Sequence, residues 1–123
     1  MSAFTDSRKE LAESLEGNGY IVYPQPFETM QVPSFVLVPD SPYLEPTTLG
    51  RNTFAQHFKC SLMVPYIDNQ AALLNLESMI EQFLDVLPTH VQIDSISAPS
   101  VTDVGPSKVL AVDSRLTVNL VKE

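Results

Sequence analysis

Leu73, Leu76, Ile80, Phe83, Leu84 and Leu87 recur at intervals of 3, 4, 3, 1 and 3, and two long stretches with a period of two flank this run. The first spacing lays one apolar stripe along an α-helix; the second puts alternate side chains on opposite faces of a β-strand. A helix with a stripe of this kind must bury it, and strands with one apolar face offer the complementary surface. The chain is therefore constrained to an α+β architecture in which helix packs on sheet. Asp68 or Asn69 is placed to cap this helix, Glu77, Glu81 and Asp85 mark its solvated side, and Pro88 ends it.

The remaining elements follow from local chemistry. A first helix is expected from Thr5 to Gly17, with Ser7 and Glu10 as a capping box and Asp6 favourable near its N-terminus. Leu11 and Leu15 share its inner face, and Gly17 and Gly19 supply positive-φ positions to end it. A short strand covers Tyr20 to Tyr23 and stops at Pro24 and Pro26. Ser34 to Val38, bracketed by Pro33 and Pro39, has too little polar alternation for an open face and reads as central in the sheet. Asp40 to Asn52 reads as a loop rich in Pro, Thr and Asp. Such a long loop in a compact domain is usually functional or mobile.

The third strand, from about Thr53 to Val64, sets Phe54, Phe58, Cys60, Leu62 and Val64 on one face, with Ala55, His57, Lys59 and Ser61 on the other. A strand from about His90 to Ser97 changes phase at Ile96, the signature of a bulge. The last strand, from about Lys108 to Val121, points Leu110, Val112, Leu116, Val118 and Leu120 one way and Asp113, Arg115, Thr117 and Asn119 the other. The expected fold is one domain over residues 1–123: a mostly antiparallel sheet of about five strands with two helices on one face, in the order α-β-β-β-α-β-β. The opposite sheet face is polar, which suits either solvent or a partner.

Composition narrows function without naming it. Fifteen acidic residues against seven basic ones, a formal net charge of −8, argue against conventional nucleic-acid binding, which neutralises phosphates with Lys and Arg. A single cysteine, Cys60, excludes an intrachain disulfide framework. The polar N-terminal stretch MSAFTDSRKELAES does not read as a signal peptide, and no apolar run approaches the ~20 residues that span a bilayer.

The residues that carry chemistry are sparse. No GxxxxGK[ST], GxGxxG or GxSxG is present. A zinc site has only His57, His90 and Cys60 to draw on, and His57 and Cys60, three apart on a strand, point to opposite faces. Cys60 reads as a small buried hydrophobe, and Glu77, Glu81 and Asp85 as a solvated helix face. Tyr20, Tyr23 and Phe27 lack the interleaved basic residues of a base-stacking surface. No catalytic, cofactor or metal set is assigned. In PDSPYLEP (Pro39 to Pro46), an aromatic and a leucine sit between prolines, and proline lowers the entropy lost when such a segment docks. Tyr43 and Leu44 either dock on a neighbour or fold back onto the core.

The stretches GYIVYPQP and VPSFVLVPDSPYLEP, then a long strand, an acidic amphipathic helix and a final strand after Val104-Gly105-Pro106, resemble the tail terminator proteins of long-tailed bacteriophages, especially those of actinobacterial hosts. By element order the likeness covers nearly the whole chain, from the helix of Leu11 and Leu15 onward. The resemblance implies a structural virion protein of the tail or neck, not an enzyme, that forms a ring, by implication a hexamer. Such a ring caps the tail tube, stops its polymerisation and presents a surface to the head-side connector. It implies no cofactor and no membrane, with DNA passing through the lumen only as cargo. The subunit interface is then expected at Pro42, Tyr43, Leu44, Glu45, Leu49 and Arg51, together with the sheet edges. Another neck subunit, of the head-closure or tube-like kind, fits the same pattern. A small cytoplasmic hydrolase or ligand-binding module using Cys60 or a histidine is the alternative from a different class.

Overall fold

The computed structural model describes residues 2–17, 19–24, 31–47, 53–66 and 68–121. Its elements are α1 (Ala3–Glu16), β1 (Ile21–Tyr23), β2 (Ser34–Pro46), β3 (Thr53–Pro65), α2 (Asn69–Val86), β4 (Val91–Ile96), β5 (Ser100–Val104) and β6 (Ser107–Val121). The sheet runs β1-β2-β3-β6-β4, antiparallel throughout except for the parallel β1–β2 pair. β3 occupies one edge of β6 from Val109 to Val121, so β5, which pairs with the Ser107–Ala111 part of β6, takes the other edge in line with β4. Because β3 and β4 are both antiparallel to β6, they run parallel to each other, and α2 is the crossover between them.

The expected α+β order holds, with both helices on one face. Leu11 and Leu15 of α1 and Ala72, Leu76, Met79 and Phe83 of α2 join Phe35, Leu37, Phe58, Cys60, Leu62, Val64, Leu110, Val112, Leu116 and Val118 in one buried cluster. The alternation read along β3 and β6 is the one observed, and β2 lies inside the sheet as expected. Asp68 caps α2, its carboxylate accepting from Ala71 N at 2.9 Å. The phase change in β4 is a bulge at Asp94, between the Ile93–Leu116 and Ser95–Arg115 pairs.

Five expectations are corrected. Helix α1 begins at Ala3, not Thr5, because the Ser2 hydroxyl accepts from Thr5 N at 3.0 Å and caps the helix earlier than a Ser7 box would. Gly17 is right-handed (φ −59°), and only Gly19 (φ 83°) supplies the positive φ. The stretch 40–46 is not loop: β2 continues to Pro46, with residues 40–43 bulged opposite His57 between the Pro39–Phe58 and Leu44–Gln56 pairs. The connection after β4 contains a further strand, β5, which makes a hairpin with β6 across Gly105-Pro106. Gly105 (φ 58°) holds the first turn position, where a side chain is disfavoured. Lastly, the buried line of α2 is Ala72, Leu76, Met79 and Phe83, whereas Leu73 and Leu84 stay exposed.

The other sheet face carries a smaller core of its own. Val36, Met63, Val104, Val109 and Ala111 cluster there, with Tyr23, Val32 and Val38 packed against them. Towards the other end of the strands that face turns polar.

Candidate functional site

The far end of β2 is where the interface residues were expected. Pro42 and Glu45 are exposed, whereas Tyr43 and Leu44 are half-buried. Leu49 and Arg51 lie outside the described residues, as does Phe27. Tyr43 folds back: its ring meets Phe58 edge-on, with centroids 5.9 Å apart at 79°, and its hydroxyl accepts from Gln56 Nε2 at 2.7 Å. Gln56 has the strand parity of the apolar residues Phe54 and Phe58, so it points into the core and is fully buried. The same Nε2 also donates to the Phe4 carbonyl at 3.1 Å, and Phe4 packs edge-on against Phe54. One amide thereby ties α1, β2 and β3 together. Sequence reading missed Gln56; the signal was its parity, a polar residue in an apolar register.

On the open face, residues from four strands form a polar lattice. Glu45 Oε1 lies 2.7 Å from His57 Nε2, and His57 Nδ1 lies 3.0 Å from Thr117 Oγ1. Thr117 in turn donates to Asp94 Oδ2 at 2.5 Å. The β4 bulge brings Asp94 within reach. Further along, Ser61 donates to Asp113 Oδ1 at 2.6 Å, and Asp113 N donates to Ser97 Oγ at 2.9 Å. Lys59 and Arg115 stand directly opposite each other, and Asp40 Oδ2, 3.5 Å from Arg115 Nε, offsets their like charges. This lattice organises a face; it does not assemble a nucleophile. Thr117 is nearly buried, and the carboxylates at both ends of the chain hold its hydroxyl and the imidazole in mutual hydrogen bonds.

Cys60 sits in the centre of the helix-side core with no exposure. Burial, aided by the negative charge of Asp113, pushes its thiol far above the ordinary cysteine range, so it stays protonated and non-nucleophilic at neutral pH. Among the described residues, no three His, Cys, Asp or Glu come together as a metal site, and no helix is long and apolar enough to cross a membrane. No protein-family model matches the chain, and no curated protein is significantly similar to it.

Proposed function

We propose that this chain is a ring-forming tail terminator of a long-tailed bacteriophage, a structural protein that caps the finished tail tube and carries the attachment surface for the head connector. The observation that supports it best concerns Pro33 to Pro46, one of the stretches on which the resemblance is drawn. It is one bulged strand through the sheet interior, anchored by Tyr43, with Pro42 and Glu45 presented at its exposed far end. A rigid strand that delivers short exposed contacts costs little entropy on docking, which suits repeated subunit assembly. The element order around it, from α1 through β3 and α2 to the final strand, is the order on which the resemblance is drawn.

On this reading the protein belongs to the virion neck, assembled in the host cytoplasm. Its partners are further copies of itself, the tail tube protein and the head-side connector. The net charge of −8 per chain repels passing DNA phosphates, so the genome slides through the lumen instead of adhering. The test is to knock out the gene in its phage and examine the particles by electron microscopy. Overlong, headless tails that return to normal on complementation are expected; tails of normal length that still join heads would sink the proposal. Tails of normal length left without heads would point to a head-closure role instead.

A further inference from the structure

The two lateral edges of the sheet carry surfaces that differ from each other and match. On the β4–β5 edge, Ile93, Ile96 and Val101 stand opposite Leu116, Ser114 and Leu110 of β6, so they face the helix-covered side. α2 packs over β3 and β6, and Leu73 and Leu84 lie on one of its flanks. The opposite flank of α2, with Asn75, Ser78 and Gln82, meets Tyr20 and Pro33 on the β1 side, and Tyr20 donates to Gln82 Oε1 at 2.7 Å. Helical geometry therefore turns Leu73 and Leu84 towards β4–β5. All five apolar side chains are 36–47 % exposed. Glu77 and Glu81 rim this strip from the outer side of α2.

On the β1 edge, also on the helix-covered side, α1 and the first two strands enclose a cleft of about 260 Å³. Val22, Pro24, Leu37 and Pro39 form its apolar wall, and Arg8 and Lys9 stand at its helix side. Among the described residues, Arg8 and Lys9 are the one pair of consecutive cations in a strongly acidic chain. Lys59 and Arg115, the cross-strand pair, lie on the other sheet face beside Asp40.

We propose that these surfaces are the two halves of one head-to-tail contact between copies of this chain. The Leu73–Leu84–Ile93–Ile96–Val101 strip of one copy seats on the Val22–Leu37–Pro39 cleft of the next, with Glu77 and Glu81 against Arg8 and Lys9. Strip on strip would set carboxylates against carboxylates; strip on cleft pairs them with the cations, and complementary rims set register and exclude the like-on-like arrangement. Because the halves are unlike and sit at opposite edges, the contact is heterologous and repeats from copy to copy. The inference rests on the terminator reading only for the closure of that repeat into a ring.

The test uses the purified full-length chain carrying both Ala12→Cys, in the cleft, and Leu84→Cys, in the strip, with buried Cys60 left in place. Under mild oxidation it should form a disulfide ladder of dimers, trimers and higher species. The expected rate is at least about tenfold above that of a control with Ala12→Cys and the open-face Ser95→Cys, the scale on which charge complementarity accelerates encounter. A rate equal to the control overturns the proposal. A second experiment needs no cysteine: Arg8→Glu/Lys9→Glu and Glu77→Lys/Glu81→Lys should each lose self-association in sedimentation velocity, while their equimolar mixture regains it, the two variants alternating because each offers the other a complementary charge at both edges. A mixture that stays monomeric also overturns it. A ladder from protein whose gene is dispensable for tail length and head joining would retire the terminator reading and leave this contact standing. Overlong, headless tails in the knockout together with no ladder from the purified protein would do the reverse.

Discussion

Replacing Tyr43 with alanine should unfold this protein more readily, although the residue lies in a segment whose sequence looks like a surface loop. Three losses combine. The ring is half-buried, so about half of the 3–5 kcal/mol typical of a fully buried aromatic, roughly 2 kcal/mol, disappears with it. The edge-on contact with Phe58 adds about 0.5–1.5 kcal/mol. The Gln56 amide loses its shorter acceptor and keeps the Phe4 carbonyl, at about 1 kcal/mol. These terms overlap, so the expected total is about 3 kcal/mol. With an unfolding entropy of about 2.1 cal/mol/K per residue over 123 residues, each kcal/mol moves Tm by about 4 °C, and Tyr43→Ala should melt about 12 °C below the parent chain. Tyr43→Phe keeps the ring, loses the hydroxyl and should fall by about 4 °C on the same scale. Differential scanning calorimetry of the three proteins at one concentration reads this directly. A Tyr43→Ala chain melting within about 3 °C of the parent would refute the anchoring of β2 through Tyr43 and Gln56.

Other expectations follow from single residues. Pro42→Ala and Glu45→Gln, both exposed, should stay within about 0.5 kcal/mol of the parent in urea denaturation, and the double variant should still impair tail assembly in complementation; full activity would remove these residues from the interface. Cys60 should resist iodoacetamide in the folded protein and react fully in denaturant; rapid native labelling would contradict its burial. Because burial raises the folded thiol pKa, the folded state retains a proton that the unfolded chain releases above about pH 8.5. Stability is therefore held below that pH and lost above it, at up to about 1.4 kcal/mol per pH unit, and Cys60→Ala should flatten this slope. Gly105→Ala forces a side chain into positive φ and should cost about 1–2 kcal/mol, whereas Gly17→Ala, right-handed already, should cost less. Thr117→Val breaks the link between His57 and Asp94 and should lose about 1–2 kcal/mol, with Thr117→Ser recovering most of it.

What could be read from the sequence was what long-range context does not rewrite. The alternation of β3 and β6 is legible because thirteen consecutive cross-strand pairs keep the even-numbered residues of both strands on the helix-covered side from end to end. The cap at Asp68, the stop at Pro88 and the β4 bulge are local chemistry and were equally plain. The continuation of β2 was hidden because Pro39 and Pro42 remove backbone donors and so look like stops. The ladder tolerates them: the bulge over residues 40–43 lifts that stretch out of regular pairing, and Leu44 rejoins it. β5 was hidden by composition, since its Ser, Thr and Asp residues resemble a turn and only the partner β6 makes it a strand. Of the interface candidates, Tyr43 illustrates the limit most clearly. An aromatic between prolines reads the same whether it docks outward or inward, and the partner that decides, Gln56, stands 13 positions away.

The misplaced stripe of α2 is more informative than a mere error of phase. The sequence stripe centres on Leu73, Ile80 and Leu84 as much as on Leu76 and Phe83, whereas the domain's own core takes Ala72, Leu76, Met79 and Phe83. At 100° per residue, Leu73 and Leu84 lie about 100–120° from Ala72, beyond the reach of the sheet beneath. The helix thus carries a wider apolar arc than its own fold buries. Leu74 stands alone on the outer side, about 200° from Ala72, whereas Leu73 and Leu84 share the shoulder turned towards the edge that carries Ile93, Ile96 and Val101. Single exposed apolar residues need no explanation, but exposed apolar residues of a helix flank and a sheet edge turned towards the same side do. A lone domain would be better served by polar residues at Leu73 and Leu84. Their substitution by glutamine should therefore leave the monomer's Tm nearly unchanged, because neither side chain is deeply buried, while abolishing the disulfide ladder between copies carrying Ala12→Cys and Ile93→Cys. A large fall in monomer stability with the ladder intact would show instead that the arc serves the domain's own core.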